Sequence, residues 1–323
     1  MSTLSRARTG FHLFILLLAV AAACRVKERW QEYTLFFFDT LCEVQIYGRE
    51  TQVSAARDET RRIFTVIEDD FSPGRQDLTS SLVIELFQHS RQVYLNTGAC
   101  FDITVGPLVE LWGFPSRAYH VPDAEEVRAV LLFVGTDKIR LEKNRIVLQP
   151  GMKLDWGGIA KGWAVDLAAR ALRDMGITRG YINAGGDLFC WGPNPDGRDW
   201  RIGIKHPRQK GFLGILSLRD GGVATSGDYQ RYFEKDGIRY HHIFNPASGY
   251  PARERQSVTA IGPQAMLCDA LATALFVSPQ PEAILKKYPE YGAVLVSSRG
   301  EVITMGKFPN PGAFQIGPAM DQR

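Results

Sequence analysis

Two hydrophobic periodicities run through this chain without settling into a regular alternation, and that irregularity constrains the fold more than any single motif. Between Thr34 and Tyr47, Cys42, Val44 and Ile46 alternate with Glu43 and Gln45, the period of two that buries one face of a strand. Residues 51–71 change to helical period, with Ala56, Thr60, Ile63 and Ile67 on one face and Val53, Phe64 and Phe71 flanking it. Pro73-Gly74 breaks the chain before a second amphipathic helix through Leu82, Leu86, Val93 and Tyr94. Asp123 and Glu126 have the spacing of a capping box, opening a helix to about Leu132. Ile139–Leu141 and Ile146–Leu148 flank Lys143-Asn144 as a hairpin would. Lys153 to Ala171 reads as strand, glycine turn and helix, the helix striped by Ala164, Leu167, Ala168, Ala171 and Leu172. Strands are expected at 179–184, 200–205, 213–218, 256–262 and 292–297, with a helix from about Met266 to Val277 between the last two. A doubly wound sheet needs strands and helices in strict turn, so the expected class is α+β, mixed sheets with packed helices. A chain of 323 residues can bury one large core or two closely joined ones.

The first residues carry a different signal. Arg6 and Arg8 precede an uncharged apolar run from Phe11 to Ala23, which ends in Ala21-Ala22-Ala23-Cys24. Such a run is too short to span a bilayer, which takes about 20 residues, but it suits a signal peptide. Small residues directly before a cysteine look like a lipobox, although Ala21 stands where Leu or Val is usual. The expectation is a signal peptide over 1–23, Cys24 as the lipidated first residue, a tether over 24–32 and one catalytic unit over 33–323. The protein would then be exported and anchored by lipid to the extracytoplasmic face of a bacterial membrane. A plain secreted protein cut after an A-x-A site is the alternative. Cys42, Cys100, Cys190 and Cys268 form no C-x-x-C pair, which disfavours a thiolate metal site and suits small buried residues. A net charge of +3 with no basic stripe argues against nucleic-acid binding.

Several segments could carry chemistry. In LDWGGIAKGWAVD, Leu154 to Asp166, an acid ends the expected strand, two glycines permit close backbone approach, and Lys161 falls in the first helical turn. Free amides, the helix dipole and a lysine together attract phosphate, though Gly157-Gly158 alone could be a plain turn. Neither the Walker A order nor G-x-G-x-x-G is present. Asp269 and Thr273 stand four apart, so on a helix carboxylate and hydroxyl share a face, a hard-oxygen pair suited to Mg²⁺. Asp269 as a helix-start residue with Thr273 in the core is the plainer reading of that pair. Thr225-Ser226-Gly227-Asp228 reads as a polar turn. His241 and His242 end an apparent strand, and adjacent strand residues face opposite ways, so one of them at most faces a given site. Gly98 to Phe114 joins a buried-looking Asp102 to aromatics able to stack on a flat ring, and Asn183 to Leu188 sets two glycines and Asp187 after a strand.

Taken in order, these segments resemble the ApbE family of FAD:protein FMN transferases. The carrying motifs are FDITVGPL at Phe101 to Leu108, DWGGIAKG at Asp155 to Gly162, Gly185-Gly186-Asp187, TSGDY at Thr225 to Tyr229, the segment His242 to Gly249, and Asp269 to Thr273. The likeness runs from about residue 33 to the C-terminus. It implies an ApbE-like, T-fold-related α+β unit that uses Mg²⁺ to cut FAD, esterify FMN through its phosphate to a Thr or Ser, and release AMP. By the same resemblance Asp269 and Thr273 hold the metal with backbone oxygen at Gly158, and His242 is the general base. Phe38, Cys100, Phe101, Asp102, Asp155, Lys161, Thr225, Ser226 and Ile243 contact FAD. The implied acceptor is an electron-transport flavoprotein subunit, of the sodium-pumping NADH:quinone reductase or Rnf type, or a related FMN-binding domain. Phe38-Asp39-Thr40 departs from the Met-Gly-Thr of many relatives, and Asn245 replaces a frequent Asp. Two alternatives use the same residues: an FAD pyrophosphatase with water as nucleophile, and a lipoprotein that only sequesters FAD.

Overall fold

The computed structural model describes residues 28–72 and 78–317; the leader, Cys24 and the Pro73-Gly74 break lie outside the described residues. The first departure from expectation comes at once. The segment read as one strand is a hairpin, β1 (Arg29–Phe37) and β2 (Thr40–Gly48), and β1 starts inside the stretch expected to be tether. The turn is Phe38-Asp39, both left-handed with φ of 55° and 56°. No Asn-Gly or Asp-Gly marks it, and two non-glycine residues at positive φ are an unusual choice. Tertiary contacts hold it instead. The Phe38 amide donates to Glu68 Oε1 at 2.6 Å, and the Phe38 ring lies 5.3 Å from that of Phe64, both partners being on the next helix.

That helix is α1 (Glu50–Phe71), and all seven apolar-face residues named from its period are buried. α2 (Ser81–Asn96), the short α3 (Gly106–Leu111) and α4 (Ala124–Leu131) follow, α4 opened by the Asp123/Glu126 capping box. β3 (Arg140–Glu142) and β4 (Arg145–Val147) pair across Lys143-Asn144. The strand expected before Asp155 is absent. Residues 152–156 are irregular, tied by the Asp155 amide to the Ile103 carbonyl at 2.7 Å, because Gly106 presses its backbone against Lys153. α5 (Ala160–Asp174) then begins, with Ala164, Ala168 and Leu172 fully buried.

β5 (Gly180–Ala184) and β6 (Asp187–Trp191) turn at Gly185-Gly186, followed by β7 (Trp200–Lys205), β8 (Phe212–Leu218) and β9 (Gly221–Gly227). β10 (Tyr232–Lys235) and β11 (Ile238–His241) form a separate hairpin. β12 (Arg255–Gly262), α6 (Ala265–Val277), α7 (Pro281–Leu285), β13 (Gly292–Ser297), β14 (Val302–Gly306) and β15 (Phe314–Ile316) complete the described chain. Eight strands join in one antiparallel sheet of order β1-β2-β5-β6-β9-β12-β13-β14. α1, α5 and α6 bury one face of it, and β15-β8-β7 covers part of the other through Trp200, Leu216, Val223 and Val294. A smaller core gathers Leu108, Trp112, Phe114, Val134 and Phe244. The class is α+β, as the mixed periodicities imply. Cys42, Cys190 and Cys268 are buried, Cys100 is half-buried, and all four are free thiols.

The hairpin turn gives a direct test. Asp39 is exposed and left-handed, a conformation that costs a side-chain-bearing residue about 1 kcal/mol more than glycine. Asp39→Gly is expected to raise the urea midpoint by an equivalent of about 1 kcal/mol, and a lowered midpoint would show that the Asp39 side chain stabilises the turn.

Candidate functional site

The chemistry-bearing residues converge where the N-terminus of α5 meets the middle of α6 and the ends of β6 and β9. Lys161 lies in the first turn of α5, and its Nζ is 2.5 Å from Asp187 Oδ2 and 3.7 Å from Asp269 Oδ2. Asp187 is the first residue of β6, delivered by Gly185 and Gly186, whose φ of 64° and 107° only glycine adopts readily. Asp269 and Thr273 are on one face of α6, as their spacing requires. The Asp269 carboxylate also accepts from the Gly162 amide at 3.3 Å, and Thr273 Oγ1 is 3.0 Å from Ser226 Oγ at the end of β9. Gly158 lies so close to this pair that a Cβ there would stand 3.1 Å from Thr273 Oγ1 and 3.3 Å from the Phe101 ring. Gly158, Phe101, Lys161, Ser226, Asp269 and Thr273 are therefore brought together, and Asp187 joins them.

Two carboxylates share one ammonium here. Burial raises the Asp269 pKa and the nearby Asp187 charge raises it further, against the opposing pull of Lys161 and the Gly162 amide. Burial works against the Lys161 ammonium, yet Asp187 and Asp269 outweigh it and hold its pKa above the ordinary lysine value. Hard oxygens from Asp187, Asp269, Thr273 and Ser226, with negative charge to spare, are the donor chemistry a small divalent cation takes. The residues present fit such an ion.

The two histidines differ in the way strand alternation implies. His241 is buried, its Nε2 donating to the Ala252 carbonyl at 2.6 Å while Nδ1 accepts from the Ile243 amide at 3.2 Å, so both nitrogens are used internally. His242 is half-buried, with Nδ1 3.2 Å from the Arg231 carbonyl. A carbonyl only accepts, so Nδ1 carries the proton and Nε2 keeps its lone pair. Desolvation and the positive charge of Arg231 push the His242 pKa well below the ordinary imidazole value, with a smaller contribution from Lys161.

The other residues singled out from sequence occupy the surroundings. Asp102 is buried and accepts from the Thr104 amide and hydroxyl at 2.8 and 2.6 Å and from the Thr136 hydroxyl at 2.7 Å, so its oxygens hold the bend after α2. Burial raises its pKa against those hydrogen bonds. Cys100 is a half-buried thiol raised by burial, Asp155 Oδ1 accepts from the Gly157 amide at 2.8 Å, and Thr225 Oγ1 lies 2.8 Å from Thr259 Oγ1. Ile243 is buried, and Phe38 sits at the hairpin turn packed on α1. Thr225 to Gly227 are strand rather than turn. Trp112 and Phe114 are not open for stacking; they fill the smaller core, with Trp112 Nε1 donating to the Gly249 carbonyl at 3.1 Å.

Sequence reasoning gave no role to three acids that the fold uses. Asp187 faces Lys161; in the sequence it stood out only as the acid of the Gly185-Gly186-Asp187 motif, with no partner indicated. Asp228 is gripped by Arg208 at 2.7 and 2.5 Å with Arg239 at 3.7 Å, tying the β7–β8 loop and the β10–β11 hairpin to the end of β9. Asp166 accepts from the Ala265 and Met266 amides at 2.9 Å each.

The sequence model of the ApbE family matches residues 38–295. An FAD:protein FMN transferase of Klebsiella pneumoniae is 34% identical over 74% of this chain and 76% of its own length. One of Vibrio cholerae is 41% identical over 56% of each chain. The crystal structure of the ApbE protein of Thermotoga maritima superposes with a TM-score of 0.80 at 30% identity, covering 85% of this chain and 96% of that one. The chain belongs to the ApbE family.

Packing at the helix crossing supplies a test whose sign is informative. Glycine inside a helix usually costs about 1 kcal/mol relative to alanine. At Gly162, however, a Cβ would fall 2.4 Å from the Ala265 carbonyl oxygen, which is backbone and cannot swing away. Gly162→Ala is expected to lose about 2 kcal/mol in equilibrium unfolding, and a stabilised variant would refute the close approach of α5 and α6.

Proposed function

We propose that this protein cuts FAD and transfers its FMN half to a hydroxyl of an acceptor protein, with a divalent cation, Mg²⁺, at Asp269, Thr273, Asp187 and the backbone of Gly158. The observation that carries the reading is the convergence of Lys161 with Asp187 and Asp269 beside the Thr273 hydroxyl and the Gly158 backbone, a cationic and hard-oxygen cluster at the start of α5. When bound, the cation would neutralise pyrophosphate charge and stabilise the charge that develops on the departing phosphate.

The residues of the chain divide the remaining work. Lys161 and the free amides at the start of α5 hold phosphate oxygens. His242 Nε2 takes the proton of the acceptor Ser or Thr as its oxygen forms the new bond to the FMN-side phosphorus. The phosphoanhydride bond breaks, and AMP leaves with the bridging oxygen and its electron pair. Phe38, Cys100, Phe101, Asp102, Asp155, Thr225, Ser226 and Ile243 form or support the walls in which the nucleotide is oriented. The acceptor is proposed to be an electron-transport subunit, of the sodium-pumping NADH:quinone reductase or Rnf type, or a related FMN-binding domain. That the similar proteins of Klebsiella pneumoniae and Vibrio cholerae are FAD:protein FMN transferases favours this over an FAD pyrophosphatase that uses water, and over a lipoprotein that only stores FAD.

Incubation with FAD, Mg²⁺ and an acceptor peptide, read by mass spectrometry, should give peptide plus FMN together with AMP. Free FMN with no labelled acceptor would install the pyrophosphatase reading instead. Asp269→Ala should abolish metal-dependent turnover, and Thr273→Ala should be milder because water can replace a neutral hydroxyl. His242→Ala should lose roughly two to four orders of magnitude in rate while FAD still binds. The pH profile follows from the sign of the shift. The base form is unprotonated, and a lowered pKa keeps it so below the ordinary imidazole value. At Mg²⁺ saturating at each pH, so that protonation of Asp269 does not limit metal loading, the rate should stay level from pH 8 down through about 6 and fall only in stronger acid, whereas a half-maximal point near 6.5 would mark an ordinary exposed imidazole.

The same reading extends to export. Mature protein is proposed to begin at acylated Cys24, anchored to the extracytoplasmic face of a bacterial membrane. Mass spectrometry of the native N-terminus should find diacylated or triacylated Cys24, and an intact leader or an unmodified Cys24 would end that proposal.

A further inference from the structure

We propose that Asp166 is a positioning residue for the metal-binding face of α6, acting as a helix cap supplied from the neighbouring helix. This rests on the metal assignment made under the proposed function. α6 reads AMLCDALATALFV, and eleven of its thirteen residues are buried. Such a helix cannot satisfy its terminal amides with water, and the residue before it, Gln264, makes no side-chain cap. Asp166 fills that role from 99 residues away, Oδ1 accepting from the Ala265 amide and Oδ2 from the Met266 amide, both at 2.9 Å. A carboxylate spanning two amides fixes the rotation of the helix as well as its position, and its charge complements the positive end of the helix dipole.

The spacing explains why this works. Gly162 and Asp166 stand four apart on α5 and so share a face. Gly162 lets the backbone of α5 touch Ala265 and donates its own amide to Asp269 at 3.3 Å, while Lys161 reaches the same carboxylate. The first turn of α6 and the carboxylate one turn further on are thus both referenced to a single helix. At the far end Arg255 Nη1 donates to the Phe276 and Ser278 carbonyls at 3.0 and 2.7 Å, so α6 is clamped by opposite charges at its two ends. Asp269 and Thr273 lie between the clamps. Asp166 touches neither of these ligands, and its effect on them passes through the helix.

The test measures metal affinity apart from turnover. Asp166→Asn keeps the shape but loses the charge and one acceptor. Mn²⁺ binding to the full chain, followed by electron paramagnetic resonance, is expected to weaken roughly tenfold in this variant, the usual effect of removing a residue that supports a metal ligand. The Mg²⁺ concentration for half-maximal transfer should rise in parallel, with kcat at saturating Mg²⁺ and KM for FAD changed by less than about threefold. Asp166→Glu, which retains both acceptors on a longer stem, should fall between wild type and Asp166→Asn. Ile63→Ala, in the core beneath α1, serves as a destabilised control and should bind Mn²⁺ as wild type does. Asp166→Asn binding Mn²⁺ within twofold of wild type, or Ile63→Ala weakening it equally, would overturn the inference while leaving the metal site standing. Wild type that binds no Mn²⁺ and transfers FMN without any divalent cation would instead overturn the metal assignment itself.

Discussion

The cluster of Lys161, Asp187 and Asp269 is the constraint on which the rest of this structure depends. Each charge buried in it carries a desolvation penalty of several kcal/mol, recovered only when geometry and hydrogen bonds are good. Here Asp187 lies within direct contact of the ammonium, while Asp269 is farther from it and leans on the Gly162 amide. Such an arrangement tolerates little displacement, because a carboxylate that loses its partner is left buried and unpaired. Every element that brings one of these residues in must therefore be held firmly, and the packing of α5, α6, β6 and β9 follows from that demand.

Small residues make the firmness possible. Gly162 and Gly222 both approach Ala265 so closely that a Cβ on either would fall within 2.5 Å of its backbone. The start of α6 is therefore wedged between α5 and β9 with no side chains intervening. The same economy appears at Gly158, where backbone stands against the Thr273 hydroxyl and the Phe101 ring. These contacts set helix against helix and helix against strand at the shortest separations the backbone allows, which makes the cluster a property of the fold rather than of flexible side chains.

Much of this was legible in the sequence, for identifiable reasons. α1 and α5 carry long apolar stripes and β2 carries strict alternation, so period alone placed them, whereas α6 is apolar nearly all round and was marked by its length. The pairing of Asp269 with Thr273 followed from helical spacing, and the opposed histidines followed from the pleat. The β1–β2 turn was hidden because Phe38 and Asp39 are held at positive φ by Glu68 and Phe64, partners about thirty residues away. The strand expected before Asp155 failed because its backbone is taken by Ile103 and Gly106 rather than by a sheet. Trp112 and Phe114 looked available for stacking only because sequence does not show what covers an aromatic ring. Asp166 and Asp228 were missed on similar grounds, since their partners lie at distant positions with no local signature.

The division of labour between His241 and His242 carries the last step. His241 has spent both nitrogens on backbone groups, Nε2 on the Ala252 carbonyl and Nδ1 on the nearby Ile243 amide, so neither is free to take a proton from a substrate. His242 has spent one, and the bond it makes to the Arg231 carbonyl fixes the free lone pair on Nε2. A nitrogen so placed accepts a proton from any hydroxyl that reaches it, whether the hydroxyl belongs to water or to a protein side chain. With His242 as the proposed base, selection between hydrolysis and transfer falls to whatever controls which hydroxyl reaches Nε2. Beside His242 stand the β10–β11 hairpin, fastened through Arg239 to Asp228, and Phe114, whose ring lies 6.3 Å from the imidazole.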